Sequence, residues 1–301
     1  MLIVDDGSND GCAEICDEYA VDKRVVILHQ ENRGLVGAWK SGVEKAVGNY
    51  ICFIDGDDFV ASDYVESLIS AIDGVDMVCM NCTKFMSETS IKYKINELEA
   101  GTYEVDEFLL SHAINNSLHR GNKLIGNARW SKLIKSEIVK EYADYCSEDV
   151  TFGEDQQLTV GMILGCKRIR IIDEYNYFYR SNPTSIMNSY KKDLWQRSKL
   201  LIKTIRSIPE IEKIKNSDNQ LRTQLFDYLC ECLKNEQFYG NGIGKEYFNS
   251  LYDDALSSGI LVTSKSDSGS KFNRLIYKLF RRKHRYFIIL LLKYYKFRKS
   301  L

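Results

Sequence analysis

Proline is almost missing: the chain has 2 in 301 residues, so no Pro-rich spacer divides it. Long hydrophobic runs are missing as well. Nowhere do about 18 apolar residues follow one another, and no transmembrane helix is expected. The 9 cysteines are scattered and odd in number, with no signal peptide ahead of them. That pattern speaks against a secreted disulfide framework and for a reducing, cytoplasmic setting. Cys79 and Cys82 form a C-x-x-C, but a structural zinc needs four ligands and no second pair exists. The pair lies in the apolar run Val75–Cys82, which reads as buried thiols in a strand. Acidic residues are absent from one region, residues 271–301, which hold 11 Lys and Arg. The formal net charge of the whole chain is −1, so residues 1–270 carry −12. A basic tail on an acidic body suggests an anionic partner for the tail.

What is present is an ordinary globular profile, 44% hydrophobic and 28% charged, long enough for one large domain or a domain with an appendage. One stretch organises it. Tyr50–Ile54 is a short apolar run rich in β-formers, and it stops at Asp55, Asp57 and Asp58 with Gly56 between them. A buried strand ending in carboxylates places negative charge at the carboxyl edge of a sheet, where open α/β sheets hold ligands. Carboxylates this close repel one another unless a cation sits among them. A hard divalent ion that takes oxygen ligands and bridges to phosphate suits the position. The other reading is a polar turn in which Asp58 caps the helix near Ser62–Ser70.

Strands and helices alternate along the first part of the chain. Met1–Val4 reads as a strand, Cys12–Tyr19 as a helix, Val25–His29 as a strand, Val36–Val47 as a helix and Tyr50–Ile54 as a strand. Ser62–Ala71 reads as a helix and Val75–Lys84 as a strand, with a hairpin or loop over Ser90–Tyr103. This order predicts an α/β fold with a mostly parallel sheet. The segment Asp5–Gly11 admits three readings: a nucleotide pocket, a plain turn, or a calcium loop with Asp6, Ser8, Asp10 and Asp17. An EF-hand needs a helix before its loop, which Met1–Val4 cannot supply.

VDDGSNDG, followed by ENRGLVGAWKSGVEKAVGNYICFIDGDD, resembles the nucleotide-sugar half of an inverting glycosyltransferase of the GT-A (Rossmann-like) fold. The resemblance is to the large family 2, whose bacterial members build surface polysaccharides. It implies that Asp5 and Asp6 lie near the base and ribose, with Arg33 and Gly34 of the N-x-G turn in the same nucleotide-sugar site. It also implies that Asp55 lies near the ribose or diphosphate and that Asp57 holds a divalent metal, Mn²⁺ or Mg²⁺. Asp58 matches an acidic position assigned here to the acceptor or sugar side. The family opens with an earlier strand and helix, and this sequence is expected to lack that unit, roughly 30 residues.

Further along, NARWSKLIKSEIV (127–139) resembles the family's segment between its two catalytic blocks. Trp130 is a candidate for stacking on a sugar, the alternative being a partly buried core Trp. Lys132 is a candidate phosphate ligand. In FGEDQQLT (152–159) the resemblance makes Asp155 the catalytic base and places Glu154 beside it to orient it or touch the acceptor. Acidic residues also suit any helix start, which is the competing reading. Arg168–Tyr179 reads as a β-pair, and RSNPTSIMNS (180–189) resembles a family stretch that folds over the diphosphate, with Arg180 as a phosphate contact. GNGIG (240–244) follows no strand and is not a dinucleotide motif.

The expected organisation is a glycosyltransferase domain over 1–190, a helical extension over 191–256, a Ser-rich linker over 257–270 and a basic amphipathic helix over 271–301. The tail fits an interfacial helix on an anionic membrane, and no companion motif suggests nucleic acid. The expected activity is metal-dependent inverting transfer from a nucleotide-diphospho-sugar, most commonly UDP-linked in the family. The acceptor would be a saccharide or lipid-linked hydroxyl, and the enzyme would sit peripherally at the inner face of the cell membrane. The alternatives are a non-catalytic nucleotide-sugar-binding homologue and a calcium- or lipid-binding interaction module.

Overall fold

In the computed structural model the described residues are 1–86, 89–114, 124–180, 189–261 and 270–300. The elements begin with β1 (Leu2–Asp5), α1 (Cys12–Glu18), β2 (Val26–His29), α2 (Gly34–Lys45), β3 (Tyr50–Cys52), β4 (Phe59–Val60) and α3 (Tyr64–Ser70). They continue with β5 (Met77–Cys79), β6 (Cys82–Met86), β7 (Thr89–Tyr93), β8 (Gly101–Glu104), α4 (Glu107–Leu110), β9 (Lys132–Lys135) and α5 (Ser136–Ala143). Then follow α6 (Glu154–Gly165), β10 (Arg168–Ile171), β11 (Tyr177–Arg180), α7 (Leu194–Arg206), α8 (Ser217–Phe238), α9 (Lys245–Ser257), α10 (Lys271–Arg281) and α11 (Arg285–Ser300). The α/β class is as expected, with the helical region at the C-terminal side.

β1 and β2 pair in parallel, which requires a crossover, and α1 supplies it. The larger sheets run β3-β9-β5-β10-β8 and β4-β11-β6-β7. They are mixed rather than mostly parallel. β9 is antiparallel to both β3 and β5, and β10 is parallel to β5 but antiparallel to β8. Local periodicity shows that a strand exists but not which way its neighbour runs.

Two further expectations change for the same reason. The run Val75–Lys84 is not one strand: β5 and β6 lie in different sheets. The chain changes sheet at Asn81, whose side-chain oxygen accepts from the backbone N–H of Ile95 (3.1 Å) and of Asn96 (3.2 Å). Nor do β10 and β11 form a pair; they too belong to separate sheets. Cys79 and Cys82 are both buried and free, as the apolar run suggested.

One apolar core runs from Val36 and Trp39 on α2, through Met77 and Leu158, to Leu229, Phe280, Ile288 and Leu292 in the helical region. Each such side chain contributes about 1.5–3 kcal/mol by leaving water. α5 and α6 approach closely because Gly161 has no side chain: a Cβ there would stand 2.6 Å from the ring of Tyr142. Phe226 of α8 meets Tyr277 of α10 edge-on at 4.8 Å. A smaller cluster gathers Tyr64, Leu68, Val78, Met80, Trp130 and Tyr177 behind the acidic turn.

The tail is two helices, not one. Lys283 takes the left-handed conformation (φ 56°), and His284 N–H donates to Leu279 O at 2.9 Å, which closes α10 before α11 begins. Most of the expected 257–270 linker, residues 262–269, lies outside the described residues; Ile260 and Leu261 beside it are buried. Among the described residues no helix is long and apolar enough to cross a membrane.

Candidate functional site

The carboxylates after β3 sit in a turn closed by Asp58 N–H on Asp55 O (3.1 Å). β11 fixes this turn. Its antiparallel register against β4 sets Tyr177 opposite Val60. The Tyr177 hydroxyl then accepts from Asp55 N–H at 3.2 Å and donates to Asp58 Oδ2 at 2.6 Å. Three residues on, Arg180 donates its backbone N–H to Asp58 Oδ1 (2.8 Å) and its Nε to the backbone oxygen of Asp57 (2.8 Å). Asp58 is thus held on both carboxylate oxygens. Asp57 is exposed, and its carboxylate has no hydrogen bond or ion pair to any described residue.

Asp155 arrives from the other half of the chain. Gly153, in the left-handed region at φ 67°, turns the backbone into α6, and Glu154 and Asp155 occupy its first turn. The two halves meet at Arg129, which is 4% exposed. One Nη donates to Asp55 Oδ1 at 2.5 Å, and the other donates to Asp155 Oδ1. Asp155 Oδ2 has no hydrogen-bond partner among the described residues. Next to the base candidate, Gln156 donates to Ile114 O (2.8 Å) and accepts from the hydroxyl of Tyr228 on α8.

Burial dominates the electrostatics. It pushes the Asp55 carboxyl up to about 6, against the pull of Arg129 and with Asp155, Asp58 and Asp57 adding to the rise. Glu154 is raised chiefly by burial, with the Asp155 charge contributing. The sequence argument that clustered carboxylates need a cation holds, but at Asp55 the cation is a side chain, Arg129.

A second group of acidic residues lies at the end of β1, where Asp5 closes the strand and Asp6 follows it. Asp5 accepts from Ser8 N–H (3.1 Å) and pairs with His29 Nδ1 (2.9 Å), and these bonds hold its carboxyl below the usual range. Asp6 Oδ1 accepts from Gln30 Nε2 (2.6 Å) and Arg33 N–H (2.9 Å). Arg33 grips Glu148 through its guanidinium, with Nε at 3.2 Å, and Gly34 (φ 72°) opens α2.

Two candidates lie deeper than the sequence suggested. Lys132 is 1% exposed, donates its Nζ to Ala128 O at 2.6 Å, and has its pKa pulled down by burial. Trp130 is buried and stacked on Tyr177 (centroids 4.5 Å, 11° between planes) and on Tyr179 (5.6 Å, 21°). The core alternative therefore describes its surroundings. Sequence reasoning missed Arg129, Tyr177, His29 and Glu148. The available hint for Arg129 was a cation directly before Trp130 at the entrance to an apolar strand, of the kind that buried carboxylates demand.

Among the described residues no group of three or more His, Cys, Asp or Glu side chains converges to cage a metal. A single unpartnered carboxylate, Asp57, still fits Mg²⁺-type binding, in which one or two carboxylates share the ion with substrate phosphates.

The family model "Glycosyl transferase family 2" matches residues 1–142. EpsJ of Bacillus subtilis (strain 168), an uncharacterized glycosyltransferase, is 30% identical over 192 residues, covering 62% of this chain and 54% of its own length. EpsH of the same strain, which carries a provisional glycosyltransferase name, is 28% identical over 241 residues, covering 78% of this chain and 68% of its own. The crystal structure of S. aureus TarS 1-349 in complex with UDP-GlcNAc superposes with a TM-score of 0.63 at 16% identity, over 98% of this chain and 82% of that one. That likeness extends the shared fold into the helical region. With its acidic turn and the strands and helices that carry it, the segment 1–142 belongs to glycosyl transferase family 2.

Proposed function

We propose that this family 2 glycosyltransferase moves a sugar from a nucleotide-diphospho-sugar, most simply a UDP-sugar, to an acceptor hydroxyl with inversion at the anomeric carbon. The observation that carries the reading is the convergence of Asp55 and Asp155 on Arg129. It sets a donor-side carboxylate and a candidate base at one site. The likeness to a structure holding UDP-GlcNAc supports the donor class.

In this reading Asp5 and Asp6 bind the base and ribose, aligned by His29, Gln30 and the turn at Arg33 and Gly34. Asp55 faces the ribose or diphosphate, and Arg180 lies beside the diphosphate. Lys132 acts as a buried positive charge behind Asp155 rather than as a direct ligand, and Trp130 holds Tyr177 and so the acidic turn. Asp57, with the donor's own phosphate oxygens, would hold Mn²⁺ or Mg²⁺. Such an ion, when bound, stabilises the negative charge that develops on the leaving diphosphate.

Asp155 accepts the proton of the acceptor hydroxyl through Oδ2 as that oxygen attacks the anomeric carbon and the bond to the diphosphate oxygen breaks. Arg129 holds Oδ1, so the carboxylate is oriented while one oxygen stays available. Glu154 and Asp58 border the acceptor side. The acceptor class is a saccharide or lipid-linked hydroxyl in polysaccharide or glycolipid assembly, handled by a cytoplasmic enzyme lying peripherally at the inner membrane face.

The decisive experiment is Asp155→Asn. Transfer from a panel of UDP-sugars should fall by about 10²–10⁴-fold, the usual worth of a general base, while UDP affinity stays as in the parent. Full turnover by the variant would remove Asp155 from the mechanism.

A further inference from the structure

α11 has two apolar faces, and only one is used by the fold. Ile288 and Leu292 are 0% exposed and belong to the main core. Tyr286, Phe287, Leu290, Tyr294 and Phe297 are between 59% and 72% exposed. At about 100° per residue these five fall in one sector of about 100°, on the side opposite Ile288 and Leu292. The inner face anchors the helix: Tyr295 lies against Phe272 of α10 at 4.5 Å, and Arg285 donates to Ile243 O at 2.6 Å. The outer face is therefore a fixed aromatic stripe rather than a frayed end.

Its rim is cationic. Lys293 and Arg298, both exposed, project on the two borders of the stripe, and exposed Arg282 precedes the helix. Residues 271–301 contain no Asp or Glu. An exposed apolar patch of this kind marks an interaction site. The charge selects the partner. A second copy docking face to face would oppose two uncompensated basic tails. An anionic lipid surface neutralises the rim and accepts Tyr and Phe rings at headgroup depth. The helix has 16 residues, about 24 Å, and is not of the kind that crosses a membrane, so it would lie in the interface plane.

We infer that the outer face of α11, framed by Lys293 and Arg298, docks the protein on an anionic bilayer. The inference rests on the membrane placement in the proposed function and narrows it: α10 is largely taken into the core, so one helix face does the docking. The binding is reversible and salt-sensitive, because it combines shallow apolar burial with screened charge.

The test is flotation of the full chain with phosphatidylcholine vesicles, with and without phosphatidylglycerol, alongside UDP titration. Binding should require phosphatidylglycerol and fade with salt. The pair Phe287→Ser and Leu290→Ser should weaken it at least tenfold, and Lys293→Glu with Arg298→Glu should do the same at about fivefold or more per charge removed. UDP affinity should stay constant throughout, which separates loss of docking from loss of the donor site. Binding to neither vesicle, equal binding to both, or retention in either variant pair would overturn the inference. So would a concentration-dependent dimer dissolved by Phe287→Ser and Leu290→Ser, which would make the occupant a second copy.

Discussion

Asp55 and Asp155, a hundred positions apart in the chain, are tied together by the guanidinium of Arg129. The pairing gives the site its shape before any ligand arrives. It also divides the labour among the acidic residues: Asp55 and Asp155 are satisfied by Arg129, Asp58 by Tyr177 and Arg180, and Asp57 is left exposed.

Removing the link should unbalance both carboxylates. Arg129→Met is expected to lower unfolding stability by about 3 kcal/mol, the low end for breaking a buried pair, since Asp55 and Asp155 keep some access to water. Arg129→Lys restores the charge but not the two-armed reach, so it should recover most of the stability and little of the transfer rate. Urea unfolding and turnover measured on the same two variants check this.

Asp57 should behave in the opposite way. Its side chain is exposed and has no hydrogen bond or ion pair to a described residue, so Asp57→Ala should leave the thermal midpoint unchanged. The affinity gain for UDP on adding Mn²⁺ should shrink at least tenfold. Calorimetric titration with and without the ion checks it, and an unaltered ion dependence would count against Asp57 as the ligand.

The raised carboxyl of Asp55 has a pH signature. Between its ordinary value of 3.8 and about 6 the folded chain binds this proton more readily than the unfolded chain. Its contribution to stability is thus fully present below 3.8 and is lost as pH rises to about 6. Asp55→Asn should flatten that stretch of the stability-pH curve relative to the parent, measured by urea midpoints across the window.

Gly153 sets the entry to α6. An alanine there would hold an unfavourable positive φ and put its Cβ 2.7 Å from Leu201 Cδ2 and 3.2 Å from the Tyr228 hydroxyl. Gly153→Ala is expected to cost about 1–3 kcal/mol of stability. It should slow transfer more than it weakens UDP binding, because it displaces the first turn that carries Asp155. Steady-state kinetics with a UDP titration checks the split.

The elements and the acidic turn were readable because their signals are local: a β-rich run halted by carboxylates, apolar residues at helical spacing, and a Glu-Asp pair after a glycine. The order of the motifs added the family resemblance and the expectation that Asp55 and Asp155 share a site, and the two do meet at Arg129. What escaped reading depends on partners far away. Arg129 is an unremarkable cation until Asp55, 74 positions away in the chain, is placed beside it. The direction of β9 depends on pairing, and the break at Asn81 depends on Asn96. At Lys283 one positive φ divided what periodicity presented as one continuous helix. Trp130 shows the same limit, since only the neighbouring tyrosines reveal that its ring is already engaged.

The contact between Phe226 and Tyr277 reaches the chemistry by a short route. α8, which carries Phe226, also carries Tyr228, whose hydroxyl steadies Gln156 one position past the proposed base. Trimming the chain after residue 270 to obtain a form that ignores lipid would strip apolar cover from α8 and slacken the support beneath Asp155. A shortened protein of that kind should be a poorer catalyst even toward a fully water-soluble acceptor, which would make α10 and α11 a buttress to the proposed reaction centre, apart from the lipid contact proposed for α11.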